Sequence, residues 1–351
     1  MLIGIVAASN IRYSPYIFYY TSILDSYGID YELIYADQAK VEDTFEKDCY
    51  GIRWNSKMPR SIEFFNYCRK AISIIKKKKY DGLIMLTAIT ATYCSLFLKK
   101  HYSKRYIVDI RDYTHENIRG YYALEKIGIT NSALAVISSP QFEKFLPKYD
   151  YVVCHNINFD TDERHRLWRK PNPDRIIIGY IGSVGYKDNC ISLIKLIRND
   201  PRFELKIHGF EPGEPEVQNL VKEMKCDRIS YHGPYLPSDK ESIIDSVDVL
   251  FNTYGYGCPL LDYALSNKLY DALYYKKLLL TSPNTAMENM GGRIAYSIDY
   301  STTDNLDGLH EWITKLDYDQ IQSYQDKKFN EFLCENIKTK ELIINTITNW
   351  K

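Results

Sequence analysis

The feature that most constrains this chain is an alternation, met twice, of short apolar runs with longer amphipathic ones. Such a pattern belongs to a parallel sheet covered by helices. The spacing predicts strands at Leu2 to Ala7, Tyr31 to Tyr35, Leu83 to Leu86, Tyr106 to Ile110, Leu134 to Ile137 and Tyr151 to Cys154, with helices at Tyr16 to Tyr27 and Ile62 to Lys78. Around residues 159–175 the composition turns polar and is punctuated by Pro171 and Pro173, the mark of a linker. The alternation then restarts. Ile176 to Ile181 is nearly all apolar and suits a central strand buried on both faces. Strands are expected at Glu204 to His208, Ile229 to His232, Val249 to Asn252, Leu278 to Ser282 and Ile294 to Ser297. Helices are expected at Cys190 to Arg198, Glu214 to Met224, Asp239 to Ser246 and Ser266 to Tyr275, with a last helical stretch from Tyr318 to Trp350.

This reads as an α/β chain of two Rossmann-like domains facing across a cleft, 1–160 and 170–329, with the C-terminal helix at about 330–351 packing back on the first. A length of 351 residues is comfortable for two such cores. The eight cysteines stand singly with no C-x-x-C pair, which predicts reduced thiols and neither a zinc nor a redox site. The opening residues lack a basic n-region and run straight into a strand, so no signal peptide is expected. The longest uncharged run, Gly82 to Leu98, reads as a buried strand followed by a packed helix rather than a membrane span. A cytoplasmic protein is expected.

Lys plus Arg equals Asp plus Glu at 45 each, so global charge gives no argument for nucleic acid. Locally the balance breaks. From Arg60 to Arg105 there are eleven basic residues against two acids, Glu63 and Asp81, a formal excess of nine. Lys76 to Lys79 lie at its centre, either as a solvated helix end or as a contact for an anionic membrane surface, which attracts such residues by about 1 kcal/mol each.

The second half carries a series of pieces in fixed order. It runs through Gly179-Tyr180-Ile181-Gly182-Ser183-Val184-Gly185-Tyr186-Lys187, Ile207-His208-Gly209, Tyr231-His232-Gly233-Pro234-Tyr235 and Asp248-Val249-Leu250 to Leu265-Ser266-Asn267-Lys268-Leu269-Tyr270-Asp271. Over roughly residues 176–285 this resembles the donor domain of GT-B glycosyltransferases, specifically the retaining family 4 group that builds capsular and other surface polysaccharides. The first half is similar more loosely, through its opening strand, Asp109-Ile110-Arg111-Asp112 and Ser138-Ser139-Pro140. A glycine pair common in the family's first loop is replaced by Ser9-Asn10-Ile11. The resemblance implies a retaining hexosyl transfer, without metal or other cofactor, from a nucleotide diphosphate sugar to a saccharide acceptor that is often lipid-linked.

Departure of a diphosphate leaves negative charge that the site must stabilise. The helix starting near Ser266 offers N–H groups at its positive end, with Lys268 in its first turn. Leu265, Leu269, Ala272 and Leu273 fall on one face, which leaves Lys268 and Asp271 on a neighbouring one. The resemblance assigns Lys268 to phosphate and Asp271 to the ribose hydroxyls; the same two residues can instead form a surface ion pair. Gly182 and Ser183 follow a buried strand, where amides approach phosphate closely. Lys187 corresponds to the family's second phosphate lysine. Gly209, Phe210 and Tyr235 end successive strands and can frame the base. Many family members carry a glutamate eight positions before the ribose ligand; here Tyr263 stands there, with Asp262 beside it.

In the first half, Asp112 or His115 can orient or deprotonate an acceptor hydroxyl, and Arg111 can hold an acceptor phosphate bidentately, with Ser9 and Asn10 in the adjoining loop. The alternative there is a structural Asp-Arg network at a strand end. Asp160-Thr161-Asp162 superficially matches a metal-binding D-x-D but lies in the linker, and no metal is expected. Two other readings stay open: a non-catalytic binding or scaffold protein on the same fold, and a sugar-nucleotide epimerase.

Overall fold

The computed structural model describes residues 1–54, 57–157 and 169–350. Its chain divides into two compact units, Met1–Asn156 with Cys334–Lys351, and Ile157–Leu333.

The first unit holds seven parallel strands: β1 (Leu2–Ala7), β2 (Asp30–Asp37), β3 (Cys49–Arg53), β4 (Gly82–Leu86), β5 (Tyr106–Ile110), β6 (Leu134–Ile137) and β7 (Tyr151–Val153). Their spatial order is β3-β2-β1-β4-β5-β6-β7. Between them run α1 (Tyr16–Ser26), α2 (Arg60–Lys78), α3 (Ala88–His101) and α4 (Arg119–Thr130). Strands β4 and β5 are buried at every position, which explains why they read as continuous apolar runs rather than alternating ones. β3 was not evident in the sequence. Its Cys-Tyr-Gly-Ile-Arg is short and edge-placed, with only Ile52 buried.

The second unit holds β8 (Ile176–Ile181), β9 (Phe203–His208), β10 (Ile229–Gly233), β11 (Val249–Asn252), β12 (Leu278–Thr281) and β13 (Ala295–Ser297), ordered β10-β9-β8-β11-β12-β13 and parallel throughout. Its helices are α5 (Lys187–Asn199), α6 (Glu216–Met224), α7 (Lys240–Asp245), α8 (Pro259–Tyr263), α9 (Asn267–Tyr274), α10 (Ala286–Gly291) and α11 (Asp307–Lys315). The last helix, α12 (Tyr318–Thr348), runs from the second unit into the first.

α12 supplies core to both units because its apolar residues are grouped in two stretches. Phe329 and Phe332 join the second core, and Ile343, Ile344 and Ile347 the first. Trp350, just beyond it, packs against β4: a Cβ on Gly82 would come within 2.0 Å of the indole Cε3. Side-chain hydrogen bonds fasten the helix after β7, among them two short ones. Asn336 accepts the His155 N–H at 2.7 Å, and the Thr339 hydroxyl donates to the Val153 carbonyl at 2.7 Å.

Candidate functional site

In the second unit the strand order reverses between β8 and β11, and open parallel sheets bind ligands beyond the carboxyl ends of such a strand pair. β8 is followed by Gly182, whose φ of +123° suits glycine. β9 is followed by Gly209, and a Cβ built there would lie 1.7 Å from the Gly182 carbonyl oxygen. No other residue fits. The Gly182 N–H donates to the His208 carbonyl at 2.8 Å, and the Gly209 N–H to the Gly233 carbonyl at 2.8 Å, so three strand ends form one backbone ledge.

Lys268 reaches this ledge from α9. Its Nζ lies 3.5 Å from where a Gly182 Cβ would be, 5.1 Å from the ring centre of Tyr254 and 6.0 Å from that of Tyr180. The ammonium forms no ion pair or hydrogen bond among the described residues. Burial lowers its pKa to about 8, with the charge of Asp271 opposing. A cation held half-buried over aromatic faces, with no anion of its own, is an arrangement that an anionic ligand completes. The start of α9 is more occupied than its sequence suggests. Ser266 Oγ accepts the Lys268 N–H at a long 3.3 Å, and the Leu269 N–H donates to the Ser266 carbonyl at 3.0 Å. Asn267 is exposed, while Leu269 is fully buried in the core.

Asp271 is buried, and its partner comes from another helix. Lys240 of α7 places Nζ 2.7 Å from Asp271 Oδ1. Burial raises the Asp271 carboxyl above its ordinary value, with Lys240 and then Lys268 opposing. Its Oδ2 has no hydrogen-bond donor among the described residues. Tyr235 is half-buried nearby; burial and then the Asp271 charge raise its phenol. Nothing in the local sequence marks Lys240, whereas Tyr254, one residue before Gly255 and just past β11, sits where a strand-end aromatic can be looked for.

Other residues are placed differently from expectation. Lys187 opens α5, but its ammonium donates to the Glu214 carbonyl and to Glu216 Oε1 at 3.1 Å, with Glu211 Oε1 3.5 Å away. Glu211 in turn accepts the N–H groups of Val217 and Gln218. Lys187 therefore ties the β9–α6 connection together instead of standing open to phosphate. Ser183 is exposed and gives its carbonyl to the Tyr180 hydroxyl at 3.0 Å. Phe210 is 63% exposed, free to meet a base but not preorganised by packing. Asp262 accepts the Gly257 N–H at 2.8 Å and so braces the turn ahead of α8; Tyr263 is half-buried.

In the first unit the order reverses between β1 and β4, and a pocket of about 660 Å³ opens past the ends of β1, β2, β4 and β5. Ser9, Asp112 and His115 line it, together with Arg60 and Thr114. Asp112 faces solvent on one side, yet burial on the other raises its carboxyl, with Arg111 opposing.

Arg111 and Asn10 do not join them. Arg111 Nε lies 2.6 Å from Asp109 Oδ1 and one Nη 2.7 Å from Oδ2, and the other Nη donates to the Cys154 carbonyl. Asp109 is fully buried, so the arginine neutralises an internal charge, the structural network rather than a phosphate clamp. The Asn10 amide donates to Asp37 and Asp43, each at 2.9 Å, and its carbonyl accepts the Ala39 N–H. Its polar atoms are committed to the loop between β2 and β3. Asp160, Thr161 and Asp162 lie outside the described residues.

No protein-family model and no curated protein sequence matches the chain. Solved structures do. Sucrose-phosphate synthase from Thermosynechococcus elongatus superimposes with a TM-score of 0.68 at 13% identity, over 99% of this chain and 98% of that one. The lipopolysaccharide outer core galactosyltransferase WaaB gives 0.67 at 14% identity, over 97% and 99%. HepE from Anabaena, solved with UDP and glucose, gives 0.67 at 12% identity, over 98% and 100%. The fold is that of GT-B glycosyltransferases, two parallel-sheet α/β domains.

Proposed function

We propose that the chain is a glycosyltransferase that takes a sugar from a nucleoside diphosphate, with the second unit holding the donor and the first the acceptor. The observation that carries this reading is the uncompensated ammonium of Lys268 over the Gly182 ledge. In this reading the diphosphate sits on the ledge, displaces the long Ser266 cap from the Lys268 N–H, and meets Lys268 as leaving-group charge develops. Asp271, aimed by Lys240, accepts the ribose hydroxyls through Oδ2. Phe210 and Tyr235 flank the base. The Asp112 carboxyl, raised by burial, takes the acceptor proton, and His115 orients the hydroxyl.

The chemistry we infer is metal-independent hexosyl transfer with retention, by front-side attack. HepE was solved with UDP and glucose, and WaaB is a lipopolysaccharide outer core galactosyltransferase, which supports a hexose donor and a surface-polysaccharide acceptor. A lipid-linked acceptor also fits the basic segment. Lys76, Lys79, His101 and Arg105, with Asp81 among them, surround one open depression of about 370 Å³ with Phe97 and Tyr102 in its wall, a surface whose basic excess suits anionic headgroups at the inner face of a membrane. No helix among the described residues is long and apolar enough to cross a membrane. The engagement of Asp262 by its own loop favours a second reading, a nucleotide-binding scaffold without turnover. Incubation with UDP- and ADP-hexoses separates the two. Sugar release or transfer that Lys268→Ala abolishes supports the enzyme; tight nucleotide binding with no turnover supports the scaffold; and absence of nucleotide binding overturns both.

A further inference from the structure

The acceptor pocket is shaped by a loop whose anchor is a buried pair of glutamates. Thr114, in the pocket wall, donates its N–H to Glu116 Oε2 at 2.7 Å and its hydroxyl to Oε1 at 3.0 Å. The Tyr121 hydroxyl lies 2.8 Å from Thr114 Oγ1, and the His115 ring rests edge-on against Tyr121 at 5.5 Å. Behind this clamp stands Glu125 of α4, 1% exposed and abutting Glu116, with no donor reaching either of its oxygens among the described residues. Glu116 is itself 8% exposed. Two carboxylates cannot both stay ionised in such a place, and since Glu116 accepts both Thr114 bonds while no donor reaches Glu125 among the described residues, the proton rests on Glu125.

We propose that Glu125 is a positioning residue: its protonated carboxyl donates a hydrogen bond to Glu116, fixes the Thr114 clamp, and so sets the loop that carries Asp112 and His115. The proposal rests on reading this pocket as the acceptor site. Among the described residues, the titratable groups facing Glu125 are Glu116 from the loop, Tyr121 from its own helix and Tyr151 from β7, and the neighbouring α3 contributes the neutral Thr92 to Tyr121. Burial, and then the Glu116 charge, raise the Glu125 carboxyl to about 9, so the clamp holds at neutral pH and loosens above it.

Infrared difference spectra of the full chain are the first test, because they need no substrate. A protonated-carboxyl stretch is expected at neutral pH, fading with a midpoint near 9 and missing from Glu125→Gln. Turnover is the second. Glu125→Ala is expected to raise the acceptor KM about tenfold with little change in donor KM, and Glu125→Gln, which still donates to Glu116 but cannot titrate, to restore it and remove the alkaline rise seen in the wild type. Absence of the carboxyl band, or identical alkaline profiles for wild type and Glu125→Gln, overturns the proposal. A normal band in a protein that transfers no sugar overturns the acceptor reading and leaves the proton assignment standing.

Discussion

Lys240 holds Asp271 across two helices, Nζ to Oδ1 at 2.7 Å, and leaves the other carboxylate oxygen open. Because the Asp271 carboxyl is already raised by burial, it makes the folded state lose stability as pH climbs through the carboxylate range. Lys240→Met is expected to steepen that loss, to cost about 1–3 kcal/mol at neutral pH, and to weaken UDP and ADP binding. Asp271→Asn should weaken nucleotide binding as well but flatten the pH dependence. Thermal melts from pH 4 to 8 with and without nucleotide read both; equal slopes for wild type and Lys240→Met would remove the pairing from the argument.

The Lys268 ammonium gives a sharper pH signature. In the ligand-free protein it is charged below about 8, so UDP affinity is expected to be level below that pH and to fall by up to about tenfold per unit above it. Lys268→Met should bind weakly and without that slope. Stability runs the other way. The folded-state value lies below the 10.5 of the free side chain, so the charge destabilises the empty fold at neutral pH, and the cost is relieved as pH rises from about 8 to 10.5. Lys268→Met should therefore melt higher than wild type when empty, by on the order of 2 kcal/mol, while losing its ligand. Calorimetric titration across pH 6.5 to 9.5 decides it; a pH-independent affinity in the wild type would sink the assignment.

Asp112→Asn separates chemistry from binding. With burial raising the carboxyl, the acid limb of the transfer rate is expected above the ordinary aspartate range. The substitution should lower transfer by roughly 10²–10⁴ and leave UDP affinity intact. Retention of full transfer would move the proton acceptor elsewhere in the pocket, with His115 the next residue to change.

Packing of Trp350 against Gly82 predicts an asymmetry between two glycines of the first unit. Gly82→Ala forces a rigid indole off β4 and should cost about 1–3 kcal/mol. Gly120→Ala, in α4 with nothing within 4 Å of the added carbon, should be neutral or stabilising by up to about 1 kcal/mol. Urea denaturation of the two variants tests the packing directly.

The sequence exposed the parts of this molecule that depend on neighbours along the chain. The alternation placed both sheets apart from β3, and the Ser266-Asn267-Lys268 start of α9 was legible because capping and helical spacing are local; Leu269, Ala272 and Leu273 are buried there, together with Tyr270 and Asp271, which the spacing did not set on that face. What stayed hidden depends on distant partners. Lys240 meets Asp271 from 31 residues away, the three acceptors of Lys187 come from beyond β9, and Asn10 is claimed by Asp37 and Asp43. Arg111 could be read either as a phosphate ligand or as part of a structural Asp-Arg network, because Asp109, two residues before it, gives no sign of being wholly enclosed; the structure selects the network. α4 went unread for a related reason: its inward positions include Glu125 and Gly128, which break the apolar stripe that marks a helix.

Each sheet turns over at its own central pair, β1 with β4 and β8 with β11, so the two rims are written by separate stretches of the gene with no residue in common. Under the proposed assignment of acceptor and donor, drift in the loops after β1, β2, β4 and β5 changes which hydroxyl is received without disturbing how the leaving group is neutralised. A lineage built on this plan can take on new customers one half at a time.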